Sequence, residues 1–176
     1  MRLIEIYIDG SANYKNRFGG FGVVIMLNGE IKRIFAQSHS DTTNNRMELG
    51  ALLRALEKIK PHKLNKKCVV QIYTDSMYVS NGFNKYMHKW SLNNFNGIKN
   101  PDLWKKVYDR ACEFPIQYLH VVWIKGHAGN IGNELADRLA KLGYIKNFKP
   151  CHKVTKSLTA LKSSIIKLKA QNKLAT

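Results

Sequence analysis

The chain has 176 residues, 44% hydrophobic and 10% aromatic, enough for one well-buried core and too few for two ordinary ones. Its 29 lysines and arginines against 12 acids give a formal charge of +17, which draws polyanions; nucleic acid is the commonest, and an anionic membrane surface is the competing reading. No stretch approaches ~18 apolar residues, which argues against a signal peptide or membrane span, and Cys68, Cys112 and Cys151 show no paired spacing. An intracellular, reduced, cytoplasmic protein is expected, with monomer as the default state.

Residues 3–8 (LIEIYI) read as an apolar strand closing at Asp9-Gly10. Gly19, Gly20 and Gly22 lead into VVIML, and Asn28-Gly29 separates that run from EIKRIFA. Asn-Gly between two β-rich runs is a strong hairpin signal, so the first three strands form an antiparallel meander. A helix follows from about Asn45 to Lys60, its stripe of Met47, Ala51, Leu52, Ala55, Leu56 and Ile59 at helical spacing, and Pro61 stops it. CVVQIYT reads as a central strand ending at Asp75, with Cys68 at its start. A short helix carries Tyr78, Val79 and Phe83, and more helix covers Lys85 to Trp90. Residues 91–100 read as an Asn-rich loop, and Asn100-Pro101-Asp102 as the start of a helix running to about Phe114. Cys112 falls in that helix, and both it and Cys68 read as buried thiols. The strand IQYLHVVWI then leads through Gly126 and Gly129 into a helix from Asn133 to about Leu142.

The order β-β-β-α-β-α-α-β-α implies an α/β protein: a five-stranded mixed sheet, meander plus parallel strands, with helices packed on it. Asp9 and Asp75 then stand at carboxyl ends of strands, where open α/β sheets place their sites. Adjacent and parallel, those strands would bring the two acids within ~5 Å. Residues 1–145 form the domain, and residues 146–176 differ in composition, with eight lysines, no acid and a helical stripe of Leu158, Leu161, Ile165 and Leu168.

Four acids draw attention by their surroundings: Asp9 in YIDGS, Glu48 in TTNNRMEL, Asp75 in IYTDS and Asp137 in GHAGNIGNELAD. Each has a plain structural explanation: an Asp-Gly turn, a helix-start acid three residues after a capping Asn45, a cap by Asp75-Ser76, and a pair with Lys141. Taken together they form a set of hard oxygen ligands suited to Mg²⁺, as a two-metal nuclease requires. His127 lies between glycines just before the helix bearing Asp137, which favours a proton-transfer role. A zinc site on Cys151-His152 lacks two further ligands at matching spacing.

In this order YIDGS with GGFGVVI, TTNNRMEL, YTDSMYV, KNPDLW and WIKGHAGNIGNELADRLA resemble type 1 ribonuclease H across roughly residues 3–143. The resemblance implies the RNase H-like fold and endonucleolytic cleavage of the RNA strand of RNA–DNA hybrids, leaving 5′-phosphate and 3′-hydroxyl ends. It implies two Mg²⁺ ions, with Mn²⁺ an alternative. Asp9 would bridge both, Asp137 would hold the ion that activates water, and Glu48 and Asp75 the ion near the leaving oxygen. His127 would assist proton transfer or product release. Gly10, Ser11, Asn44 and Asn45 match positions that contact the RNA strand, Thr43 and Asn100 a DNA-phosphate pocket, and Tyr86 and Trp90 an aromatic channel along the DNA strand.

The chain also departs from that pattern. Asp41 stands where the family's phosphate pocket often carries arginine, Ala12 and Met77 replace common RNA contacts, and Tyr86 is often tryptophan. Residues 91–99 are short with one lysine, where relatives often carry a basic protrusion, and the lysine-rich 146–176 segment is expected to substitute for it. Alternatives of other kinds are a non-catalytic hybrid- or DNA-binding module, and a strand transferase or exonuclease on the same fold.

Overall fold

The computed structural model describes residues 2–15, 17–65 and 67–142; the expectations for 146–176 lie outside them. Five strands line up in the order β3-β2-β1-β4-β5. They are β1 (Arg2–Ala12), β2 (Gly19–Leu27), β3 (Glu30–His39), β4 (Cys68–Thr74) and β5 (Leu119–Trp123). β1–β2 and β2–β3 pair antiparallel, while β1–β4 and β4–β5 pair parallel. The mixed sheet expected from the element order is thus present.

The meander forms where its turn chemistry directs. Asn28 and Gly29 both take positive φ (53° and 75°) and close β2 onto β3 at Leu27 opposite Glu30, as a two-residue hairpin demands. β1 runs past its expected end, because pairing with β2 continues to Ala12 opposite Gly19. Asp9 therefore sits inside a strand, opposite Gly22, and not in a closing turn.

Five helices cover the sheet: α1 (Asn44–Lys58), α2 (Met77–Asn81), α3 (Met87–Leu92), α4 (Pro101–Ala111) and α5 (Ile131–Leu142). A π-helical turn at Gly82–Tyr86 joins α2 to α3. One core lies between the sheet and the helices α1 to α4, with Ile6, Ile8, Leu49, Leu52, Leu56, Val70, Ile72 and Trp104 fully buried. The other joins Tyr7, Val24 and Ile34 of the sheet to Leu135, Ala136 and Leu139 of α5. Alternation along β1 explains the division: Ile6 and Ile8 face one core, Tyr7 the other.

The structure corrects several local expectations. Thr43, not Asn45, is the N-cap of α1, its hydroxyl accepting from the Arg46 N–H, so Glu48 lies beyond the capping turn and is free of that task. Asn100 holds the N-cap position of α4 as expected, its carbonyl accepting from the Leu103 and Trp104 N–H groups, but in left-handed conformation (φ 55°) and without a side-chain capping bond; its amide donates instead to the Tyr78 hydroxyl at 3.1 Å. Pro115 and a 3₁₀ turn at Ile116–Tyr118 shorten β5, and α5 begins two residues early at Ile131. Cys68 is half-buried, packed against the larger core, and Cys112 is exposed just after α4, so neither thiol is fully buried as expected. Among the described residues no helix is long and apolar enough to cross a membrane.

Candidate active site

Three elements deliver the central carboxylates. The β1–β4 register places Tyr7 opposite Tyr73, so Asp9 and Asp75, each two residues further on, emerge side by side past the parallel pairing. Glu48 comes from α1, whose backbone closes on β1 at Gly10. A Cβ on Gly10 would lie 2.1 Å from the Glu48 nitrogen, so only glycine permits that approach. Carboxylate oxygens of Asp9, Glu48 and Asp75 then lie within 4.8 Å of one another.

Burial makes this cluster costly. Asp9 is 7% and Glu48 9% exposed, and Glu48 Oε2 has no hydrogen-bond partner among the described residues. Burial, then the charges of Asp75 and Asp137, push the Asp9 carboxyl up to about 7. Burial first, then Asp9 and Asp75, hold Glu48 well above the usual carboxylate range. Near neutral pH the site retains protons that a cation would replace. An orphaned buried carboxylate oxygen among converging acids fits a hard divalent ion.

Asp75 is fixed by the last residue of β5 and by residues that follow it. The Asn133 amide donates to its Oδ2 at 3.1 Å, the Trp123 indole N–H donates to its backbone carbonyl at 3.0 Å, and a Cβ on Gly126 would lie 2.7 Å from Oδ2. Asp137 stands outside the tight group and receives Lys141 Nζ at 2.7 Å, though its charge is felt at Asp9. His127 lies exposed on the turn before α5 with φ 51°.

Around the carboxylates runs a polar rim. Asn44 Oδ1 accepts from the Ala12 N–H at 2.6 Å, tying α1 to β1, and Asn45 and Ser11 are half-buried beside it. Thr43 and Asn100 come together through Arg46, whose backbone N–H reaches Thr43 and whose Nη1 donates to Asn100 Oδ1 at 3.5 Å. That guanidinium also grips Asp102 with two bonds of 3.0 and 2.7 Å. Tyr86 and Trp90 form a tilted pair with ring centroids 5.6 Å apart, and Tyr86 remains 46% exposed. Asp41, which stands where relatives often carry an arginine, pairs with Arg17 at 2.6 Å.

The RNase H family model matches residues 2–145. The chain belongs to the RNase H family. It is 41% identical over 146 residues to a Ribonuclease H of Methylobacillus flagellatus, covering 80% of this chain and 91% of that protein. It is 39% identical over 148 residues to a Ribonuclease HI of Haemophilus ducreyi, covering 81% and 91%. Among solved structures it resembles LC9-RNase H1, described as a type 1 RNase H with the type 2 active-site motif, at 30% identity and a TM-score of 0.66, covering 79% of this chain and 70% of that one. A foamy viral protease-reverse transcriptase in complex with RNA/DNA hybrid superposes with a TM-score of 0.67 at 26% identity, over 80% of this chain and 20% of that one. As a ribonuclease H the chain is an enzyme that cleaves the RNA strand of RNA–DNA hybrids.

Within this RNase H site, sequence reasoning missed the supports more than the acids. Asn133 and Trp123 read as a helix-start residue and a strand residue, and nothing local signals that both turn toward Asp75. Arg46 sits in a recognised motif, yet its partner Asp102 lies 56 residues away.

Proposed function

We propose that Asp9, Glu48, Asp75 and Asp137 hold divalent cations, Mg²⁺ with Mn²⁺ as an alternative, for endonucleolytic hydrolysis that leaves 5′-phosphate and 3′-hydroxyl ends. The observation that carries this reading is the convergence of three carboxylates from β1, α1 and the end of β4 within 4.8 Å, with Glu48 Oε2 buried and without a hydrogen-bond partner among the described residues. When bound, such cations neutralise phosphoryl oxygens and make water nucleophilic at neutral pH.

The chain's own residues supply position and proton handling. Asn133 and the Gly126 backbone confine Asp75 to one orientation. Lys141 pairs with Asp137 at 2.7 Å, beside the tight cluster. His127, exposed on its turn, would assist proton transfer or product release. Gly10, Ser11, Asn44 and Asn45 border the RNA strand. Thr43 and Asn100 receive a DNA phosphate, and the Tyr86–Trp90 pair lies along the DNA strand. The 2′-hydroxyl is the local feature that separates the strands.

Residues 1–145 make up the catalytic domain and 146–176 a basic extension that strengthens hybrid binding. Removing 146–176 should raise KM and flatten its salt dependence, and unchanged binding would dismiss that role. Cytoplasmic action as a monomer is part of the same reading, supported by the free thiols of Cys68 and Cys112 and checked by sizing in solution.

The deciding experiment is cleavage of matched RNA–DNA, RNA–RNA, DNA–DNA and single-stranded RNA substrates with Mg²⁺, Mn²⁺ or EDTA. Metal-dependent cutting confined to the hybrid's RNA strand is expected. Tight hybrid binding without cutting in either metal would favour a non-catalytic binding module.

A further inference from the structure

The β1–β2 connection leaves the sheet only three residues after Asp9, so it stands on the same rim as the carboxylates. It is closed by Asn13 N–H to Phe18 O at 2.7 Å and Arg17 N–H to Asn13 O at 2.9 Å. The Thr42 N–H donates to Arg17 O at 2.9 Å and fastens the loop to the residue before the α1 cap. Its side chains include Lys15, Arg17 and Tyr14, the last 97% exposed. Basic and aromatic side chains on an exposed loop suit a nucleic-acid surface.

Two arginines stand near Thr43, and they differ in availability. Arg46 is held by both oxygens of Asp102 and by Asn100, so a phosphate would have to break a bidentate pair to engage it. Arg17 touches Asp41 through Nε at 2.6 Å, with the side chains 60% and 81% exposed. An exposed pair of this kind is weak and heavily screened, whereas a phosphate matches the guanidinium fork with two charged acceptors. Asp41, left in place, would repel that same phosphate.

We propose that Arg17 contacts a backbone phosphate of the bound hybrid, and that Asp41 competes with this phosphate for the guanidinium and so sets substrate affinity. The inference rests on the reading that the ends of β1 and the start of α1 face the hybrid. It is tested on the full chain by hybrid binding, followed by fluorescence anisotropy in EDTA over a salt series, and by KM with Mg²⁺. Arg17→Ala should weaken binding roughly three- to tenfold and lower the salt slope by about one, with the change carried by KM. Asp41→Asn should tighten binding about two- to fivefold, and the double variant should behave like Arg17→Ala alone. Normal binding by Arg17→Ala, or weaker binding by Asp41→Asn, overturns the proposal. Asn44→Ala separates the two failures. If Asn44→Ala weakens binding and Arg17→Ala does not, only the role of Arg17 falls; if neither does, the reading of the rim falls with it.

Discussion

The floor of the site and its rim treat charge in opposite ways. On the floor three carboxylates crowd together, Asp9 and Glu48 buried and Asp75 half-buried, and the two buried ones are pushed toward the protonated form. On the rim Arg46–Asp102 and Arg17–Asp41 are opposite charges in contact with water. Burial makes the floor a store of unfavourable energy that a bound ion can release, while exposure keeps each rim pair weak and leaves the more exposed Arg17–Asp41 pair exchangeable. In the function proposed above, chemistry and recognition thereby fall on different residues of one surface.

The largest test of that division is loss of a floor acid. Asp75→Asn or Asp9→Asn should lower single-turnover cleavage at least about a thousandfold while hybrid binding survives, since the amide keeps shape but not ligand charge. Near-normal cleavage by either variant would remove these acids from the site. Second in size, Asn133→Ala should reduce kcat roughly ten- to a hundredfold and weaken Mg²⁺ or Mn²⁺ binding in calorimetry, because Asp75 loses its donor at Oδ2. A change in cleavage with metal affinity untouched would assign Asn133 elsewhere.

The same acids should cost the metal-free protein stability. Asp9 holds its proton up to about pH 7 when folded but releases it near the ordinary carboxylate value when unfolded. Over that window the folded state binds more protons, so stability in EDTA falls as pH rises, and Mg²⁺ should restore it. Asp9→Asn should flatten the fall and be more stable than the parent by about 1–3 kcal/mol at pH 8 in urea melts. A less stable variant there would contradict the picture of a strained floor.

The rim should show the smallest effects. Arg46→Ala should cost about 0.5–1 kcal/mol, the range for a bidentate pair still open to water. Asp102 is held below its ordinary value by its bond to Arg46, so this contribution is present above about pH 4 and is lost as pH falls further. In urea melts the cost of Arg46→Ala should be smaller at pH 3 than at pH 7. A cost of several kcal/mol would mean that the rim is structural, like the floor.

How much of this was legible beforehand follows from range. Hydrophobic alternation, the Asn28-Gly29 turn and the stripe on α1 act over a few residues, so strand order in the chain, helix positions and a mixed sheet could be read directly. The four acids were legible because each sits in a distinctive local motif and chain order alone suggested that Asp9 and Asp75 share a sheet end. Element boundaries were less so: β1 lengthened because β2 supplied partners as far as Ala12, and the cap of α1 moved to Thr43 because its hydroxyl met the Arg46 N–H.

What only the tertiary structure decided is which side chains meet across long stretches of chain. Asn133 reaches Asp75 over 58 residues, Arg46 reaches Asp102 over 56, and Arg17 pairs with Asp41, a partner that no local pattern signals. It likewise separated Asp137, paired to Lys141, from three acids that share one buried space. Local pattern determines elements because backbone preference and amphipathic period are short-range. Convergence depends on sheet register and helix approach, here the parallel pairing of β1 with β4 and the closeness that Gly10 allows α1, and those are properties of the packed whole.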